Sequence, residues 1–199
     1  MPNRYSTYDS FAQMVKEGNW LVLDTETTGL GDEAQCIDIA IVAPDGTAVL
    51  NTLVRASIAI ENAAAQAHGI TEEMIEFAPS WAIVQPKIME IIKGHNVITY
   101  GATFDRRILH QSDDGNGLPK VDYCQFSNWC CCMEAFAEVY GERNPRFGTY
   151  TWKKLVIAAD YFDLGEFSAH RALSDTEMTR KVSLAIAQLW SVDNDGNVR

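Results

Sequence analysis

Two carboxylates, Asp24 and Glu26, follow the apolar run Trp20-Leu21-Val22-Leu23 in the segment Leu21-Val22-Leu23-Asp24-Thr25-Glu26-Thr27-Thr28-Gly29-Leu30. Residues two apart in an extended chain point to the same side, so a buried strand ending here delivers both acids to one place. Like charges at the rim of a core repel and are poorly solvated. A divalent cation is the natural compensation, and oxygen ligands suit Mg²⁺ or Mn²⁺ rather than zinc. The same spacing also serves two solvated acids at a strand end. Asp105 comes directly after Tyr100-Gly101-Ala102-Thr103-Phe104, near the first turn of an expected helix, where the dipole favours a carboxylate. Asp175 lies in His170-Arg171-Ala172-Leu173-Ser174-Asp175-Thr176. If that whole stretch is helical, His170 and Asp175 stand about 140° apart around the axis. If the helix starts after His170, the imidazole is free to lean over the same site from a loop. Read singly, Asp105 is an N-cap-like acid and His170 a capping or packing histidine.

The elements that must position these groups are legible in hydrophobic spacing. Residues 20–23 read as a buried strand, 36–43 and 47–54 as two more joined through Pro44-Asp45-Gly46, 96–100 as a fourth and 121–123 as a short fifth. Helices are expected over 10–18, 80–93, 104–111, 129–140, 151–160 and 172–190. Three early strands followed by strands alternating with helices predict an α/β fold, a central mixed sheet flanked by helices.

With 199 residues, 47% hydrophobic and 22% charged, the chain is neither disordered nor short of a core. It is expected to form one domain over 1–199, with a core of about 19–190 and a polar tail at 191–199. No stretch approaches the roughly 18–20 apolar residues that span a bilayer, and the N-terminal stretch carries no apolar signal core. A cytoplasmic protein with no membrane partner is expected. The five cysteines, Cys36, Cys124 and Cys130-Cys131-Cys132, make a poor disulfide framework and lack zinc-knuckle spacing; they read as small hydrophobes on a helix. The net charge of −11 speaks against a general polyanion binder. The densest basic region, Lys153-Lys154 with Arg143 and Arg146, interleaves with Tyr150 and Trp152 and serves either a phosphate backbone or a solvated helix face.

Taken in order, Asp24-Thr25-Glu26-Thr27-Thr28-Gly29, Phe104-Asp105 and His170-x-Ala172-x-x-Asp175 resemble the three motifs of the DEDDh family of 3′–5′ exonucleases, the DnaQ-like proofreading group of the ribonuclease H-like fold. His68-Gly69-Ile70-Thr71 is similar to a run often found between the first two motifs, although His68 alone reads as loop packing. Where family members often carry a His-Asn pair, this chain has Tyr100-Gly101. The resemblance implies a ribonuclease H-like α/β fold with a central mixed five-stranded sheet. It also implies two Mg²⁺ or Mn²⁺ ions. Asp24 would bridge both, Glu26 and Asp175 would complete the one carrying the attacking water, and Asp105 would hold the second. His170 is then the general base. Thr27 and Thr28 would bond the terminal sugar, Leu30 would wedge against the terminal base, and Phe104 would stack on a base or pack in the core. The implied substrates are single-stranded or frayed 3′ ends of DNA or RNA, cleaved to nucleoside 5′-monophosphates. A polymerase or a second copy of the chain is a possible partner. The alternative is a non-catalytic interaction module that retains the fold. Two dications would cancel the four site acids, and the remaining negative charge implies weak grip beyond the 3′ end.

Overall fold

The computed structural model describes residues 7–194, with side chains for 7–190. Helix α1 (Thr7–Glu17) leads into β1 (Trp20–Thr27), β2 (Cys36–Val42) and β3 (Ala48–Leu53). The short helices α2 (Asn62–His68) and α3 (Glu72–Ile75) precede α4 (Trp81–Ile92), β4 (Asn96–Thr99) and α5 (Ala102–Gly115). A 3-10 turn at Tyr123–Gln125 then leads to β5 (Asn128–Cys131), α6 (Cys132–Tyr140), α7 (Leu155–Tyr161) and α8 (Ala172–Asn194). The sheet order is β3-β2-β1-β4-β5. β1 runs antiparallel to β2 and β2 to β3, whereas β1-β4 and β4-β5 are parallel. The expected mixed five-stranded sheet flanked by helices is present.

The pleat of β1 sorts its residues between two cores. Trp20 and Val22 pack with Phe11 and Val15 of α1, Phe136 of α6 and Met178, Val182 and Ile186 of α8. Leu21 and Leu23 face the other way, onto Trp81, Val84, Ile88 and Ile92 of α4 and Ile108 and Leu109 of α5. Each such side chain, fully buried, contributes roughly 1.5–3 kcal/mol, so the strand that carries the carboxylates is clamped on both faces. The same alternation continues past the apolar run, sending Asp24 and Glu26 toward the α8 face and Thr25 toward the α5 face.

Several sequence-based boundaries are corrected. β1 continues through Thr27, so Asp24 and Glu26 lie within the strand rather than beyond it. The fifth strand is Asn128–Cys131, not 121–123. Tyr123 instead enters the 3-10 turn, fully buried. The cysteine run is accordingly not helical throughout, since Cys130 and Cys131 sit on β5 and only Cys132 opens α6. All five cysteines are free thiols, and burial pushes Cys132 up to about 12. Two helices, α2 and α3, occupy a segment whose short alanine-rich and acidic stretches gave no long period. α5 extends to Gly115, and α7 starts at Leu155 after an extended stretch. α8 continues to Asn194, and the rest of the expected tail lies outside the described residues. Among the described residues no helix is long and apolar enough to cross a membrane.

One buried polar node ties α5 to α4. The Asp113 carboxylate accepts from Trp81 Nε1 at 2.7 Å and from the Tyr123 hydroxyl at 3.0 Å, all three side chains being buried. Asp113→Ala leaves both donors unpaired and is expected to cost about 2–4 kcal/mol. Asp113→Asn, whose amide oxygen still accepts from Trp81, is expected to cost less. Urea unfolding at constant m checks both; equal stability of the alanine variant and wild type would contradict the role.

Candidate active site

Asp24 and Glu26 reach the site from β1, and Asp175 reaches it from the first turn of α8. One carboxylate oxygen from each lies within 4.8 Å of the others. The cluster follows from the pleat, since α8 packs on the face of β1 to which even-numbered residues point. Asp105 arrives in the first turn of α5. Its Oδ1 accepts from the Thr25 hydroxyl at 3.1 Å, and Thr99 at the end of β4 also bonds it. The structure thus brings three of the four expected acids into one cluster. The fourth, Asp105, falls outside that group, yet it is the carboxylate that raises Asp24 most after burial.

The electrostatics are those of crowded acids. Burial, then the Asp105, Asp175 and Glu26 carboxylates, push Asp24 well above the usual carboxylate range. Burial, then Asp175 and Asp38, raise Glu26 to about 8 against the pull of Arg171. Burial raises Asp105 to about 7 in spite of its hydrogen bonds from Thr25 and Thr99. Asp175 is raised by burial too, and the N–H of His170 opposes the rise. Asp175 Oδ1 is buried without a hydrogen-bond partner. A buried lone pair left unpaired is costly. Hard carboxylate oxygens around an orphaned acceptor fit a divalent cation of the Mg²⁺ or Mn²⁺ kind.

His170 sits immediately before α8, exposed, in the left-handed region at φ 66°. That conformation is uncommon for a residue with a Cβ. Its N–H donates to Asp175 Oδ2 at 3.0 Å, so the same carboxylate that joins the cluster fixes the backbone of the histidine loop.

Asp38 is a site residue that the sequence reading passed over. It lies on β2 opposite Glu26, is 2% exposed, and accepts from Arg171 Nε at 3.1 Å. The ion pair anchors the residue next to His170 onto the sheet. The available signal was a lone charge inside the otherwise apolar run Cys36-Ile37-Asp38-Ile39-Ala40-Ile41-Val42.

The expected substrate-contacting residues are placed as follows. Thr27 Oγ1 donates to Gly29 O at 2.6 Å, and Thr28 Oγ1 accepts from Gln35 N–H at 3.0 Å. Both hydroxyls are therefore engaged in the bend after β1. The Glu61 carboxylate lies over the Cα of Gly29 in that bend. Leu30 is 74% exposed. Phe104 is half-buried, with the Arg107 guanidinium 5.3 Å from its ring centre. His68 packs inside: its Nδ1 accepts from Ile70 N–H, so Nε2 carries the proton and donates to Thr27 O at 3.2 Å. Burial lowers its pKa, and the ring holds the backbone just past Glu26.

Comparison with known proteins places this geometry. Residues 21–183 match the RNase T family model, described as exonuclease. An uncharacterized exonuclease, CP81, of Escherichia phage 186 is 36% identical over 92% of this chain and 95% of its own length. A PolC-type DNA polymerase III of Thermotoga petrophila is 27% identical over 94% of this chain, which spans only 13% of that protein. Among solved structures, exonuclease X in complex with 5′-overhanging duplex DNA is 25% identical, with a TM-score of 0.58, over 89% of this chain and 92% of that one. A product-bound exonuclease I has a TM-score of 0.69 at 14% identity, over 86% and 45% of the two chains. The fold is ribonuclease H-like.

The raised carboxylates make a pH prediction. A folded-state pKa above the unfolded one gives stability that is present below the unfolded value and lost as pH rises through the folded one. With Asp105 raised to about 7 and Glu26 to about 8, the metal-free protein is expected to lose thermal stability progressively as pH rises from about 4, the ordinary carboxylate range, to about 8. Mg²⁺ is expected to restore it, and Glu26→Gln to flatten the slope. Thermal melts in EDTA and in Mg²⁺ read this; a pH-independent melt in EDTA would contradict it.

Proposed function

This chain belongs to the RNase T family of DnaQ-like exonucleases, and on that premise we propose that it is a cytoplasmic, divalent-metal-dependent 3′–5′ exonuclease acting as a single domain over 1–199. Its substrates are single-stranded or frayed 3′ ends, and its products are nucleoside 5′-monophosphates. The observation that carries the reading is the cluster of Asp24, Glu26 and Asp175 with an orphaned Asp175 oxygen and His170 directly beside it. DNA is favoured as substrate because a relative covered over most of its length was solved with 5′-overhanging duplex DNA. The phage exonuclease, matched over 95% of its length, supports an independent nuclease, whereas the PolC-type relatives support association with a polymerase.

In this reading Asp24, Glu26 and Asp175 would hold one Mg²⁺ or Mn²⁺, and Asp105 together with Asp24 would hold a second. Bound dications acidify water, screen the phosphate and offset charge on the departing oxygen. His170 takes the proton of the attacking water at its imidazole, whose ordinary pKa lies near 6.5. The water oxygen bonds to phosphorus, the P–O3′ bond breaks, and the electron pair stays on the 3′-oxygen of the shortened strand. Asp175 does double duty, taking part in the cation cluster and fixing the His170 loop. Asp38 and Arg171 keep that loop on the sheet. Leu30 and Phe104 flank Arg107 and supply apolar surfaces for the terminal bases. The Thr28 hydroxyl, which accepts from Gln35 N–H and keeps its own proton, meets the terminal sugar, whereas the Thr27 hydroxyl proton and the Thr28 N–H are already bonded.

Asp24→Ala is expected to abolish metal-dependent degradation. His170→Asn, which tolerates the left-handed backbone, is expected to lower kcat by roughly 10²–10⁴ while leaving Mn²⁺ affinity unchanged. Oligonucleotides labelled at either end check both, with the 3′ label released first. Early release of the 5′ label, or degradation that persists in EDTA, would sink the proposal.

A further inference from the structure

The segment between α6 and α7 folds into a small hairpin. Asn144 N–H donates to Thr149 O, Thr151 N–H donates to Glu142 O, and Arg143 and Tyr150 form an antiparallel bridge. The Arg143 guanidinium lies 4.2 Å from the Tyr150 ring centre and bonds the Tyr150 hydroxyl at 3.0 Å, closing the hairpin. At its tip Phe147 is 67% exposed, with Arg146 5.2 Å from its ring centre. Below the hairpin Trp152 is 63% exposed. It shares a groove of about 390 Å³ with Phe104, Arg107 and Met133. The base of the hairpin is anchored, because Lys153 pairs with Glu142 at 2.7 Å and its carbonyl accepts from the Tyr100 hydroxyl.

Two features say what this surface is for. Residues 140–154 carry Arg143, Arg146, Lys153 and Lys154 against the single acid Glu142, in a chain whose net charge is −11. Positive charge is therefore concentrated where the rest of the surface is acidic. Its two most exposed aromatics, Phe147 and Trp152, are also interleaved with the cations, the combination that binds single strands by stacking bases and neutralising phosphates. The groove joins Trp152 to Phe104, the neighbour of Asp105, so the patch is continuous with the proposed active site. We propose that Trp152 and the Arg143–Tyr150 hairpin form a second binding site. Its occupant is the unpaired nucleotides beyond the first one on the 5′ side of the bond being cut, with bases stacked on Trp152 and Phe147 and phosphates on Arg146 and Lys154. The site deepens the exonuclease reading and rests on it for the direction of the strand. It also confines the grip beyond the 3′ end to a few nucleotides, in keeping with the acidic remainder of the surface.

The test measures two things for each variant of the full chain. One is the affinity of a labelled long single strand with EDTA present, so that no turnover occurs. The other is the hydrolysis of that strand and of a dinucleotide in Mg²⁺. Trp152→Ala and Phe147→Ala are each expected to weaken strand binding about fivefold or more, the lower bound for one stacked base. They are expected to raise KM on the long strand and leave dinucleotide hydrolysis unchanged. Trp152→Phe is expected to restore binding. Arg146→Ala is expected to reduce the slope of log affinity against log salt by about 0.7. The site is overturned if the wild type does not bind the strand, if the variants bind and degrade it as wild type does, or if they lose the dinucleotide to the same extent. It is also overturned if sedimentation shows that Phe147→Ala breaks up a dimer while strand binding survives. A wild type that binds strands through these residues but hydrolyses nothing would leave the site standing and remove the proposed activity. A wild type that degrades strands independently of these residues would do the reverse.

Discussion

Mutual repulsion among Asp24, Glu26 and Asp175, carried on a strand buried from both sides, is the constraint around which this structure is arranged. Their oxygens are held within 4.8 Å because the elements that bear them have no freedom to separate. β1 is fixed by Leu21 and Leu23 on one face and Trp20 and Val22 on the other. α8 is fixed by Met178, Val182 and Ile186 against the latter face. Like charges so confined raise one another's pKa by an amount that burial enlarges. The hydrophobic core thus does electrostatic work at its rim, keeping an unfavourable set of acids together for a cation to neutralise.

The two faces of β1 divide the labour. Even-numbered residues put Asp24 and Glu26 with Asp175 and, one strand over, with Asp38. Odd-numbered Thr25 turns to α5 and hydrogen-bonds Asp105. The loop before α8 then has two attachments, His170 N–H to Asp175 and Arg171 to Asp38. An exposed histidine is thereby set at the lip of the cluster by residues that are themselves part of it or beside it. The sequence neighbours His170 and Arg171 serve different ends: one faces outward, and the other ties the loop down.

Much of this was legible in the residues. The apolar run before Asp24, its period-two continuation to Glu26 and the order of the three motifs identify the family, and the first four strands fall where alternation and turns place them. What escaped has physical causes. Val121 and Tyr123 are apolar and β-prone, but Tyr123 is buried by its hydroxyl's bond to Asp113, a contact from α5 that local spacing does not reveal. Asn128–Cys131 reads as the start of a helix because it runs without a break into one. Local spacing puts Asp105 at a helix start, but its hydrogen bonds from Thr25 and Thr99 come from the packing of α5 on the sheet. Asp38 is hidden by its apolar neighbours, and its partner lies 133 residues away.

The net charge of −11 changes meaning in this light. Part of it is concentrated where dications are expected, while the hairpin segment beside the site carries four cations against one acid. Calorimetric titration of Mn²⁺ into the metal-free protein at pH 7, in buffers of different ionisation enthalpy, addresses the crowded acids most directly. With Glu26 near 8 and Asp105 near 7 before binding, saturable binding is predicted to release protons, giving a heat that varies with the buffer, and Asp24→Asn is predicted to abolish it. A buffer-independent heat, or undiminished binding by Asp24→Asn, would contradict a site built on carboxylates that only a cation can reconcile.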